Sequence, residues 1–165
     1  MPVRLHPLPW LSFLIIAASV GLTGWVTAAV ATTRSRASFS RLEMPPLVPS
    51  PGVFASLSLL TLLLMTAGAV LVAYRTGNFR DASGPLGLFF TAQGVLTGWA
   101  LVFFGVGDIA LSLGVLAVLF ILVIAMGRDF LRFSRPAAWL QVPVALWIAF
   151  LAYLNAGIWG ANPGG

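Results

Sequence analysis

Residues 137–162 read AAWLQVPVALWIAFLAYLNAGIWGAN, and this stretch decides the fold. A helix crossing a bilayer needs about 20 mostly apolar residues, and the stretch supplies them. Yet it also carries Trp139, Gln141, Trp147, Tyr153, Asn155 and Trp159. At about 100° per residue, Trp147, Leu151, Leu154, Asn155, Ile158 and Asn162 fall on one arc roughly 100° wide, and Tyr153 points away from it. A bare anchor has no need to gather an indole and two amides on one stripe. A helix so built faces a cavity or a partner helix.

The rest of the chain is of the same kind. Of 165 residues, 59% are hydrophobic and 8% charged, against about 25% charged in soluble domains. Four further runs, 10–31, 53–74, 86–104 and 109–126, are long enough to span hydrocarbon beside 137–159. Backbone groups in lipid must be satisfied internally. The expectation is therefore an all-α integral membrane protein, one domain over 1–165, built as a single bundle of five transmembrane helices. Only Gly105 to Asp108 separate the third and fourth runs, which predicts a tight hairpin. The first run, with Arg4 before it and Ala29-Val30-Ala31 within it, has the marks of a signal peptide. Its apolar part exceeds the roughly 7–15 residues of such segments, and it is read as a span.

All nine basic residues are arginine, and the net charge is +5. They sit in short segments between apolar runs, as membrane-flank charges do, which argues against nucleic acid as a partner. Arg4, Arg75, Arg80, Arg128, Arg132 and Arg135 fall on the N-terminal side, and Arg34, Arg36 and Arg41 on the other. That balance predicts a cytoplasmic N-terminus, with a bacterial cell membrane as the expected setting. The one long connection, 32–52, ends in Pro45, Pro46, Pro49 and Pro51. Prolines deny it a regular helix and stiffen it, so it reads either as a tether or as a lid over one end of the bundle.

The absences narrow the chemistry. There is no cysteine. The expected spans hold no ionisable residue away from their ends, where ion-coupled transporters need one. His6 is the sole histidine and precedes the first span; it is a weak candidate for a haem or metal ligand. Hydrolytic and general acid–base arrangements have no residues to run on. Asp108 is expected to cap a helix or sit solvated.

What remains is aromatic and amide. Trp10, Trp139 and Trp159 lie near helix ends, as an interfacial belt would. Trp99 and Trp147 lie deeper, where an indole either packs or stacks on a flat ligand. Asn155 either bonds across helices, with Gln93 and Thr97 as the kind of partner it would find, or addresses a ligand. Gly94 and Gly98 on the third helix form a small-xxx-small pair that suits close helix approach, within the bundle or between two copies. The fourth helix has Ser112 as its one polar side chain and is expected to face lipid.

The order Pro143, Trp147, Phe150, Leu154-Asn155, Ile158 and Asn162 resembles the last transmembrane helix of the TspO/MBR family. Leu42, Pro45, Pro49 and Val53-Phe54 are similar to the family's entry into helix 2. Met65 with Ala69, and Trp99 with Phe103-Phe104-Gly105, match its helix 2 and helix 3 segments. The resemblance implies a five-helix bundle, often dimeric, with a pocket closed by the first loop; the Gly94 and Gly98 pair is the face a homodimer would use. It implies binding of porphyrins such as protoporphyrin IX or haem, or of other flat apolar molecules, with no required cofactor. By position, Phe54, Trp99, Trp147, Leu151, Leu154 and Asn155 would line that pocket.

The chain also departs from the family pattern. Ser58 stands where the family has a helix 2 tryptophan, Leu62 where a tyrosine is usual, and Leu151 where a small residue is usual. The expected function is a membrane-embedded binding protein for a porphyrin-like ligand, in sensing, scavenging or transport. Light-dependent porphyrin degradation, with Trp147 as electron partner, is one alternative. A structural or partner-binding protein with a degenerate pocket is the other.

Overall fold

The computed structural model describes residues 10–39, 42–77 and 81–162. Its helices are α1 (Trp10–Phe39), α2 (Pro51–Thr76), α3 (Ser83–Ala100), α4 (Ile109–Phe130), α5 (Arg135–Trp139) and α6 (Gln141–Ala161). A π-helical segment, Leu101–Val106, continues α3, and no strand occurs among the described residues. Five segments are long and apolar enough to cross a membrane: Trp10–Thr32, Pro51–Thr76, Ser83–Val106, Ile109–Phe130 and Arg135–Ala161. The short α5 and α6 together make the fifth.

Local chemistry sets most boundaries. Ser50 accepts a hydrogen bond from the Val53 N–H at 3.5 Å, with Pro51 in the first turn of α2. Asp108 caps α4 through a 2.8 Å bond from the Leu111 N–H, as the sequence predicts. Ser134 accepts from the Ala137 N–H ahead of Pro136. Gly77 and Gly107 end their helices at φ 71° and 83°, where a side chain would be strained.

Several helices run past the expected ends. The first span, Trp10–Thr32, agrees with the expected 10–31, while its helix continues to Phe39, because no proline or glycine stands between 31 and Pro45. The third and fourth spans are longer than expected, reaching back to Ser83 and on to Phe130.

Round the bundle the order is α1, α2, α6, α4, α3, with α3 returning to α1. The core runs through Met65, Ala69 and Val72 of α2, Phe89 and Ala92 of α3, Leu116, Leu119 and Val123 of α4, and Val144 and Ile148 of α6. α1 is the peripheral member. Only 11% of its span is buried, against 33–44% for the others, and Trp25 on it is 70% exposed.

Candidate functional site

A cavity of about 710 Å³ lies at the end of the bundle where α1, α3 and α6 finish and α2 begins. α1 gives it Ala31 and Thr32; the α1–α2 connection gives Met44, Val48 and Pro49. Pro51, Phe54 and Ala55 come from the start of α2, and Leu151, Leu154, Asn155 and Ile158 from α6. α3 and its π segment supply Trp99, Phe103 and Phe104. Among the described residues the lining holds no carboxylate, imidazole or guanidinium.

The aromatic wall depends on the π segment. Phe103 follows Trp99 by one α-turn and shares its face. In a plain α-helix Phe104 would sit about 140° further round than Trp99; the wider i→i+5 closure swings it back. The Gly107 N–H bonds the Val102 carbonyl at 2.8 Å and closes that segment. Trp99 stacks on Phe103 at 5.5 Å and 20°, and meets Phe104 edge-on at 5.9 Å.

Asn155 supplies the polar element. Its Nδ2 donates to Ser112 Oγ at 2.8 Å. Gln93 instead accepts from Thr23 Oγ1 of α1 at 3.4 Å, and Thr97 donates to the Gln93 carbonyl. Neither is the partner of Asn155 that the sequence suggested. Ser112 is fully buried rather than lipid-facing, so α4 braces the cavity wall from behind. Two buried polar atoms of cavity-lining residues, Trp99 Nε1 and Asn155 Oδ1, have no hydrogen-bond partner among the described residues.

The α1–α2 connection is strapped to α6. Asn162 Oδ1 accepts from the Glu43 N–H and its Nδ2 donates to the Glu43 carbonyl, both at 3.0 Å. Tyr153 Oη donates to the Pro46 carbonyl at 3.3 Å. Gly157 lets Pro45 approach closely; a Cβ there would stand 2.6 Å from the proline ring. The strap turns at Pro46-Leu47, with Leu47 at φ 71°.

Phe54, Trp99, Leu151, Leu154 and Asn155 are brought together around the cavity. Trp147 is not. It faces a separate hollow of about 400 Å³ with Pro143, Leu146 and Phe150, opposite Leu57, Leu60, Thr61 and Leu64 of α2. One α6 stripe carries both sets because the cavity ends at Phe54, whose ring meets Trp147 edge-on at 5.6 Å. Sequence reasoning missed Phe103, Phe104 and the support from Ser112. The Trp-x-x-x-Phe-Phe spacing was the available signal for the first two; for Ser112 it was only its being the one polar side chain of the fourth helix.

A model of the TspO/MBR family matches residues 11–160. The chain is 28% identical over 127 residues to the translocator protein of Ovis aries, across 76% of this chain and 75% of that protein. It is 30% identical over 105 residues to the tryptophan-rich protein TspO of Chlorobaculum tepidum, across 62% and 66%. The translocator protein of Bos taurus is 25% identical over 155 residues, across 93% and 92%.

Proposed function

This chain belongs to the TspO/MBR family and is a multi-pass membrane protein with a ligand-binding or sensing role; from there we propose that it encloses a porphyrin or similar flat apolar molecule. The observation that carries this reading is the cavity itself: about 710 Å³, walled by aromatic and aliphatic groups beneath a strapped loop. Trp99 and Phe103 offer a stacked face for a planar ring. Trp99 Nε1 and Asn155 Oδ1 lack partners among the described residues, and buried polar atoms left so carry a free-energy cost. A ligand with a polar edge relieves it.

Binding is favoured over light-driven degradation. Of the deep indoles only Trp99 lines the cavity; Trp147 stands outside and Ser58 removes a third. With no imidazole or carboxylate in the lining among the described residues, the site should hold free-base porphyrin and haem similarly. The arginine balance supports a cytoplasmic N-terminus, which puts the cavity at the outer face. Dimerisation through α3 is proposed as well. A Cβ added at Gly94 or Gly98 meets nothing within 4 Å, so no part of the described chain uses that face.

The test is titration of protoporphyrin IX in the dark into detergent-purified protein, with Trp99→Leu and Asn155→Leu alongside. Saturable binding weakened by both substitutions is expected. Uptake no greater than that of empty micelles would sink the porphyrin reading.

A further inference from the structure

Two hollows follow one another along the seam between α2 and α6, and a single aromatic pair separates them. Phe54 lines the cavity, Trp147 lines the outer hollow, and no residue lines both. Their rings meet edge-on at 5.6 Å and 61°. The outer hollow is flanked by exposed apolar side chains: Leu60 is 49% and Leu146 67% accessible. Both helices are membrane-spanning segments, so the medium at this face is hydrocarbon rather than water.

We propose that this outer hollow is a docking vestibule for the flat apolar ligand dissolved in the bilayer, and that Phe54 and Trp147 are the gate through which it passes sideways into the cavity. The proposal rests on the function inferred above. Its occupant follows from two facts: the hollow shares a wall with the ligand cavity, and it opens to the phase in which such a ligand concentrates.

The competing route, under the loop, requires breaking the Asn162–Glu43 pair, the Tyr153–Pro46 bond and the Pro45–Gly157 contact. The lateral route requires two rings to turn, and side-chain rotations are fast beside loop and domain motions. Ser58, one helical turn beyond Phe54, puts no further ring into that wall. Gate and lid are also joined. Trp147 packs on Phe150 at 5.4 Å, and Phe150 stacks on Tyr153 at 6.1 Å. The Tyr153 hydroxyl holds the loop at Pro46. A ligand that turns Trp147 therefore pushes along a row of rings that ends at the strap.

The test fills the vestibule without touching the cavity. Leu60→Trp and Leu146→Trp, on opposite walls and both at exposed positions, are compared with wild type in phosphatidylcholine nanodiscs. Stopped-flow mixing with phosphatidylcholine vesicles carrying protoporphyrin IX is followed by the Soret shift. Both substitutions should slow uptake and release alike, by roughly tenfold, with the equilibrium Kd unchanged, because a raised barrier alters rates only. Trp147→Ala should speed both. Unchanged rates in the two filled variants, with faster exchange in Asn162→Ala, would overturn the gate and assign entry to the loop. Wild-type protein that takes up no porphyrin would overturn the functional reading itself, and the gate with it.

Discussion

Asn155 Nδ2 donates to Ser112 Oγ at 2.8 Å, and both side chains are almost wholly buried. The Ser112 hydroxyl donates in turn to the Ile109 carbonyl, also at 2.8 Å. One short row of hydrogen bonds thus fixes the amide in the cavity wall to the first turn of α4. Removing the hydroxyl leaves a buried N–H without an acceptor, a loss of about 1–3 kcal/mol. Ser112→Ala should therefore lower the Tm in detergent and also weaken porphyrin binding, although Ser112 does not line the cavity. A double-mutant cycle with Asn155→Leu should give a coupling of about 0.6–2 kcal/mol. Strict additivity would show that the bond does not form in the membrane protein.

The strap should hold the α1–α2 loop against α6 rather than set fold stability. Asn162→Ala removes two exposed hydrogen bonds to Glu43, each worth about 0.5–1.5 kcal/mol. Gly157→Ala sets a methyl against the Pro45 ring at 2.6 Å and lifts the same segment. Limited chymotrypsin digestion reads the outcome directly, since Leu47 at the turn is 77% exposed. Both variants should be cut in the loop several-fold faster than wild type while helical content holds. Equal cleavage rates would mean that the strap is not what keeps the loop down.

In the opposite half of the bundle, Gly68 sits where α2 crosses the α5–α6 junction, and an added Cβ would run into Gln141 Nε2. It would also stand 3.0 Å from the Phe130 ring and 3.1 Å from the Ala137 carbonyl. Gln141 is 3% exposed and donates to that carbonyl at 3.1 Å, so it has little room to retreat. Overpacking of this kind costs typically about 1–3 kcal/mol. Gly68→Ala should lower the Tm clearly, and Gly68→Ala with Gln141→Ala should recover part of the loss. A neutral Gly68→Ala would show that the junction adjusts freely.

Hydropathy and length exposed the fold because in lipid every span must satisfy its own backbone, which leaves the sequence little choice. The helix faces were harder to read. The stripe on α6 was visible, but a stripe along a helix does not say where a neighbour interrupts it. Phe54 of α2 cuts this one between Trp147 and Leu151, leaving one residue outside the cavity and the other inside. The α4 face was misread because one serine among aliphatics has no periodicity, and only the packed bundle sets it against Asn155. The length of α1 was hidden by polar residues that read as loop yet contain no helix breaker. The π segment left no sequence signal at all, although it turns Phe104 into the site.

The proposed dimer would use the glycine face of α3. Gly94 is exposed, and a Cβ added at Gly94 or at Gly98 would meet no atom within 4 Å. Two glycines one turn apart on a membrane helix let a second helix approach closely, with van der Waals packing as the main gain. If α3 of a second copy occupies this face, Gly98→Leu blocks the approach, and the monomer fold should hold, since a Cβ at this position meets no described atom within 4 Å. Light scattering on protein solubilised in mild detergent should then show a dimer for wild type and half that protein mass for Gly98→Leu, at unchanged helical content. A dimer that survives the substitution would place the interface elsewhere. A monomeric wild type would leave the glycine face to lipid, and the cavity would then function within a single chain.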